Sequence, residues 1–233
     1  MIEAEWWEYD SLDELAEAVA GDVAFIVDSA LDARDAALIA LPGGRTGAAV
    51  YPELAAQKLR WKKVTIVPTD DRLVAVESAQ SNVRAIAEAF IPTGARVVPI
   101  ATVMGDYRQA GNAADARLQD LPWPPDLVWL GMGADGHTAS LFPGPDLQNA
   151  LDAPRARRAV GVMPDPLPED APVARVTLTR AALLSARTVL VTITGAQKRE
   201  LLEQAIADGQ SSRLPIGRVL AEADQPIDIH WAP

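Results

Sequence analysis

Asp135 and His137, two positions apart in the stretch GMGADGHTASLFPG (131–144), are the pair in this chain best suited to proton transfer. The 233 residues include only two histidines, and one stands here, in a glycine-rich stretch straight after an apolar run. An aspartate at that spacing can reach one imidazole nitrogen and fix the tautomer. The other nitrogen is then free to act as a base near neutral pH. The competing uses of such a residue are a hydrogen-bonded structural histidine and a metal ligand. Two protein ligands without further His or Cys make a poor transition-metal site, so no metal is expected. The second histidine, His230 in DIHWAP, lies outside every motif and is assigned no catalytic part.

Other residues suit an anion. In PGGRTG (42–47), Gly43 and Gly44 let the backbone approach a ligand, and the helix behind them presents free N–H groups beside Arg45 and Thr46. TDDR (69–72) sets two carboxylates next to Arg72. The arginine faces a ligand while Asp70 or Asp71 holds it, the alternative being a solvated turn. SN (81–82) opens a helix, for which a bare N-cap is explanation enough. Lys198, in TGAQK (194–198), falls in the first turn of a helix, where it opposes the dipole. A bound anion removes that conflict.

Short apolar runs precede these stretches or alternate with them: ALIAL (37–41), VTIVP (64–68), RVVPI (96–100), LVWLG (127–131) and TVLVTI (188–193). Helix-like segments such as GAAVYPELAAQKL, SNVRAIAEAF, DYRQAGNAADARLQDL and AQKRELLEQAIADG lie between them. Apolar strands alternating with helices imply an α/β fold, a doubly wound, mostly parallel sheet flanked by helices on both faces. Ligands bind such a sheet at the carboxyl ends of its strands, which is where these residues fall. From Ser11, the apolar positions Leu12, Leu15, Ala16, Val19, Val23, Ile26, Val27, Ala30 and Leu31 fit an amphipathic helix, with Ser11 and Glu14 as its capping box. Residues 143–172 carry seven prolines and the cluster RARR (155–158), too irregular for the alternation. We read residues 1–233 as one domain with this stretch as an excursion over one edge, because the strand pattern resumes behind it. A linker between two domains is the competing reading.

The formal net charge of −11 argues against a nucleic-acid partner or an anionic membrane surface. If the ligand is an anion, the few basic groups must be gathered locally. There are no cysteines, which excludes disulfides and thiolate metal sites. The start, MIEAEWWEYD, is acidic and unlike a signal peptide, and no apolar run reaches the ~18 residues of a membrane span. These features lead us to expect a soluble cytoplasmic protein.

Taken together, PGGRTG, TDDR, SN, GMGADGHTASLFPG, RVTLT (175–179) and TGAQK resemble the 6-phosphogluconolactonase family, within the larger group that includes glucosamine-6-phosphate deaminase. They occur in that family's order from residue 42 to residue 198, and the histidine stretch is the most specific. The resemblance implies a Rossmann-type three-layer sandwich. It also implies hydrolysis of 6-phospho-D-glucono-1,5-lactone to 6-phosphogluconate, without cofactor, in the oxidative pentose phosphate pathway. His137 would be the base and Asp135 its orienting partner. Arg72, Arg175 and Lys198 would hold the phosphate, with Thr46 and the Gly43–Gly44 backbone. The partner implied is a small sugar phosphate; a monomer and a homodimer stay equally open. Two departures stand out: Arg45 replaces the family's usual serine, and Asp71 replaces glutamate.

Two rival readings share the fold. A sugar-phosphate deaminase or isomerase would carry an acid-rich motif ending in tyrosine where TDDR stands, and a different continuation of the histidine loop. A phosphosugar-sensing regulator would carry a fused DNA-binding module, whereas here the α/β pattern starts almost at once and the chain is acidic.

Overall fold

The computed structural model describes residues 2–102 and 105–233. Strand β1 (Ala4–Glu8) leads into α1 (Leu12–Arg34), β2 (Ala37–Leu41) and α2 (Gly44–Ala55). Then come β3 (Val64–Pro68), β4 (Asp70–Arg72), α3 (Asn82–Phe90), β5 (Arg96–Val97) and α4 (Tyr107–Leu118). They are followed by β6 (Leu127–Gly131), α5 (Leu147–Leu151), β7 (Ala159–Val162), β8 (Arg175–Leu178) and α6 (Arg180–Leu184). The chain closes with β9 (Thr188–Thr194), α7 (Ala196–Asp208), α8 (Pro215–Leu220) and β10 (Ile227–Ala232).

Seven strands form one parallel sheet in the order β1-β10-β9-β6-β2-β3-β5. From β2 the chain works outward through β3 to β5. It then crosses back to β6 and works outward the other way, so the strand order reverses between β2 and β6. A crevice opens at such a reversal, at the carboxyl ends of the two strands.

The central strands β2 and β6 are apolar because helices cover both faces. Ala37, Ile39 and Leu41 of β2, with Leu127 and Trp129 of β6, pack towards α1, α2 and α3. Their neighbours Leu38, Ala40, Val128 and Leu130 face the opposite layer, built from α4, α7 and α8. The expected strand at 96–100 is only two residues long, because Pro99 has no N–H to continue the ladder.

Helix α1 begins as its sequence requires. Ser11 Oγ accepts from the Glu14 N–H at 3.2 Å, and the Glu14 carboxylate accepts from the Asp10 N–H at 3.1 Å. Its apolar stripe is buried from Leu15 to Leu31.

A second, antiparallel sheet, β4-β8-β7, was not foreseen. Its strands are three or four residues long and partly polar, so no apolar run marks them. The proline-rich stretch supplies α5, which packs with α6 and α8, and β7, which packs on α4. There α4 and β7 meet backbone to backbone at Gly111 and Gly161. A Cβ on Gly111 would come within 1.9 Å of the Gly161 nitrogen. Two of the three arginines in the basic cluster are occupied internally, while Arg155 is exposed. Arg158 donates to the Leu118 carbonyl at the end of α4 and lies 4.7 Å over the Trp123 ring, while Arg157 donates to the Ala159 carbonyl at 2.8 Å.

Candidate active site

The loops after β2 and β6 emerge side by side at the strand reversal and line one cavity with β4, β8 and the first turn of α7. Gly43, Gly44, Arg45, Thr46, Arg72, His137, Arg175 and Lys198, scattered from residue 43 to residue 198, all border it.

The base is built by its own loop. Asp135 Oδ1 lies 2.5 Å from His137 Nδ1 and also accepts the His137 N–H at 3.2 Å. A carboxylate only accepts, so Nδ1 carries the hydrogen and Nε2 has a free lone pair. Burial pushes the Asp135 carboxyl up, but the hydrogen bond and charge of His137 outweigh it, and the net shift is downward. Asp135 is therefore held ionised. Gly133 makes room for the pair: a Cβ there would sit 2.1 Å from His137 Cε1 and 2.7 Å from Asp135 Oδ1. The imidazole stacks on Phe142, with ring centroids 4.0 Å apart, and Ile216 at the start of α8 donates its N–H to the Gly136 carbonyl at 3.0 Å.

The cations come from the small sheet. Arg72 and Arg175 are directly paired across β4 and β8, so strand alternation turns both side chains to one face, together with Asp70 and Thr177. Like charges opposed in this way repel. Buried Arg175 donates to the Ala171 carbonyl at 3.2 Å, and its guanidinium carbon lies 4.8 Å from the Phe142 centroid. Burial lowers its pKa. Among the described residues, the buried Nε atoms of Arg72 and Arg175 have no hydrogen-bond partner. Two opposed cations with unused donors are chemically suited to an anion.

Lys198 reaches across from α7 and donates to the Met132 carbonyl at 2.5 Å, next to the histidine loop. Burial and then the charge of Arg45 lower its pKa. Helices α2 and α7, whose first turns carry cavity residues, start at Gly43 and Gly195 without a side-chain cap. Helices α1, α3, α4 and α6 are capped by Ser11, Ser81, Asp106 and Thr179. The first turn of α2, with its uncapped N–H groups, borders the cavity.

Asp71 corrects the expected contact set. It sits one position out of phase with Asp70 and Arg72, so it points away from the cavity. Its carboxylate accepts the N–H groups of Arg72, Asn82 and Val83, at 2.9, 2.6 and 3.1 Å, and closes the start of α3. Burial raises its pKa to about 6 against the pull of these bonds. Neither aspartate holds the Arg72 side chain. That guanidinium donates to the Gln80 carbonyl and to Asn82 Oδ1, each at 2.9 Å.

Asn82 therefore does more than open a helix. Its Nδ2 donates to the Asp70 carbonyl at 2.8 Å, and its amide fills the space where a Cβ of Gly43 would stand. Asp70 was recognised only as one of two candidates. It is buried at the cavity wall and accepts from Ser140 Oγ at 2.6 Å, joining the histidine loop to the arginine sheet. Phe142, on which base and cation both pack, had no signal beyond its place in the motif.

His230 lies in β10, away from the cavity. It is buried between Trp7 and Tyr9, with the Tyr9 hydroxyl 2.8 Å from Nδ1. Among the described residues, no three His, Asp or Glu side chains group as metal ligands would.

Comparisons with known proteins agree over the full length. Residues 10–231 match the family described as glucosamine-6-phosphate isomerases/6-phosphogluconolactonase. The chain is 38% identical over 229 residues to a 6-phosphogluconolactonase of Rhizobium meliloti, covering 97% of each. It is 37% identical over 235 residues to one of Mesorhizobium japonicum, covering 98% of this chain and 95% of the relative. The crystal structure of a 6-phosphogluconolactonase from Shewanella baltica superposes with a TM-score of 0.91 at 30% identity, over 100% of both chains.

Proposed function

The chain belongs to the glucosamine-6-phosphate isomerase/6-phosphogluconolactonase family and is an enzyme of its lactonase kind, and from that premise we propose how its residues act. The substrate is 6-phospho-D-glucono-1,5-lactone, and the reaction is metal-free hydrolysis to 6-phosphogluconate in the cytoplasm. A lactone carbonyl is already electrophilic, so it needs a positioned water and a base rather than a covalent nucleophile. His137 Nε2 takes a proton as the water oxygen bonds to the carbonyl carbon. The Asp135 carboxylate stabilises the imidazolium. Uncapped backbone N–H groups at the glycine loops receive the developing oxyanion. The intermediate then collapses: the ring C–O bond breaks, and the leaving ring oxygen takes the proton back from the imidazolium.

Arg72, Arg175 and Lys198 bind the phosphate, with Thr46 and the Gly43–Gly44 backbone. The observation that carries this reading is the shared support of the two centres. His137 and the Arg175 guanidinium lie 4.0 and 4.8 Å from the centroid of the same Phe142 ring. Their separation cannot exceed the sum of these distances, which suits a substrate with its phosphate one sugar ring away from its carbonyl.

The test is an initial-rate assay on freshly generated lactone, in the presence of a chelator and corrected for spontaneous ring opening. Rapid chelator-insensitive hydrolysis is expected. A rate equal to the spontaneous one would refute the function. A rate lost on chelation and restored by zinc would refute the metal-free mechanism.

A further inference from the structure

Tyr51 does not border the cavity, yet its one polar group is bonded to a loop that does. The side chain lies in α2 and is buried. Its ring meets Phe90 and Trp129 edge-on, with centroids 5.4 and 6.0 Å away, so packing from two sides fixes where the hydroxyl stands. That hydroxyl donates to the carbonyl of Pro42, the residue directly after β2. Burial, and then the charge of Asp70, push the phenol pKa up, so the donor keeps its proton. Gly47, four residues before Tyr51 in α2, leaves room for the bond. A Cβ there would stand 3.1 Å from the Pro42 oxygen and 3.2 Å from the Tyr51 hydroxyl oxygen.

The bond acts on a peptide unit with little orientation of its own. Turning the Pro42–Gly43 plane changes ψ of Pro42 and φ of Gly43. The proline ring fixes only its own φ, and glycine accepts either sign of φ. The Pro42–Gly43 bond is trans, so its C=O and N–H point in opposite directions. A carbonyl held by a hydroxyl in the core therefore turns the Gly43 N–H away from the core, on the side where Pro42, Gly43 and Gly44 border the cavity. No acceptor among the described residues takes that N–H. Without the hydroxyl, the Pro42 carbonyl would be buried and unbonded, which favours turning it out and the N–H in.

We propose that Tyr51 is a positioning residue: through the Pro42 carbonyl it aims the Gly43 N–H at the phosphate of the substrate. This inference deepens the phosphate-site reading above and rests on it. Asn82 marks which end of the cavity the N–H serves. Its Oδ1 lies 2.0 Å from where a Cβ of Gly43 would stand and accepts from Arg72 at 2.9 Å, so Gly43 and the Arg72 guanidinium flank one amide. The N–H thus adds to substrate binding and leaves the proton transfer at His137 untouched.

Tyr51→Phe removes the hydroxyl alone. Inorganic phosphate is titrated calorimetrically into the intact chain, and lactone kinetics are measured alongside. The variant should bind phosphate about tenfold more weakly, the effect of losing one hydrogen bond to an anion. KM for the lactone should rise by a similar factor, with kcat within about twofold. In the unaltered chain the Gly43 amide proton should shift downfield when phosphate is added, and Tyr51→Phe should abolish that shift. Phe90→Leu loosens the packing of the ring but keeps the hydroxyl. It should lower Tm and leave phosphate affinity within about twofold. Unchanged phosphate affinity in Tyr51→Phe, a fall in kcat at constant KM, or equal losses of affinity in the two variants would overturn the inference. An unaltered chain that binds no phosphate would remove the phosphate site itself. Tight binding that Tyr51→Phe does not weaken would remove only the part given to Tyr51.

Discussion

The two sheets of this molecule obey different rules. In the parallel sheet, β2 and β6 are buried on both faces, and every residue of Ala37–Leu41 and Leu127–Leu130 is buried. Such strands have no face on which a polar side chain can work, so chemistry is confined to the loops at their ends. The antiparallel β4-β8-β7 sheet has one face on the core and one on the cavity. Val176 of β8 goes inward, while Arg72, Arg175, Asp70 and Thr177 look the other way. The large sheet provides rigidity and two loops. The small one delivers charge directly from its strands, and keeps two arginines opposed at the expense of its own stability.

The sharpest way to test that division is to remove the base from the loop at the end of β6. His137→Asn should lower kcat by about 10²–10⁴-fold with KM little changed, since the lost interaction belongs to the transition state. Near-normal turnover would make the histidine structural. The parallel sheet should respond in the opposite currency. Ile39→Ala, at a fully buried position, should cost about 2–5 kcal/mol in denaturant unfolding and leave KM within about twofold. A matching loss of affinity would show that the two sheets are not separable.

The third test concerns the small sheet. Arg175→Met removes one of two opposed cations and replaces it with a side chain that suits the buried site. Phosphate binding should weaken by about 10–100-fold, while the ligand-free melting temperature stays equal or rises. A large fall in Tm would mean that the arginine pair supports the fold.

The last and smallest effect comes from a buried histidine within the large sheet. Burial lowers the His230 pKa to about 4, whereas an unfolded chain takes up that proton near the usual ~6.5. Between these values the unfolded state binds the proton and the folded state does not, so stability falls as the pH drops through the window. The loss due to this residue should be about 2 kcal/mol by about pH 5. His230→Gln should flatten that slope and leave turnover near neutral pH unchanged; an unaltered slope would assign the acid sensitivity elsewhere.

The same division explains what the sequence made legible. The loop residues Gly43, Thr46, His137 and Lys198 were found because each follows a run apolar enough to stand out. The outer strands β1 and β10 were missed because Glu5, Asp228 and His230 interrupt their apolar pattern. Arg72, Arg175 and Lys198 were expected to meet at one anion, but the direct pairing of the two arginines across β4 and β8 was not foreseen, since cross-strand register between residues 72 and 175 leaves no local trace. Asp71 was misassigned for want of a phase. Adjacent carboxylates look alike in a sequence, and only membership of a strand sends them to opposite faces. Asn82 was reduced to a helix start because its contacts with Arg72 and Gly43 are made between loops.

The contact between Gly111 and Gly161 has a consequence for how this protein can change over generations. A seam made of side chains can be recut by paired substitutions, one residue shrinking as its neighbour grows. This seam has no side chain to trade: even a methyl group on Gly161 would stand 1.7 Å from the Tyr107 carbonyl oxygen. Drift is therefore barred at both positions together, since neither can compensate for the other. Insertions and deletions must be absorbed in the proline-rich stretch before Ala159, leaving β7, and the arginine register beside it, at a fixed offset from α4.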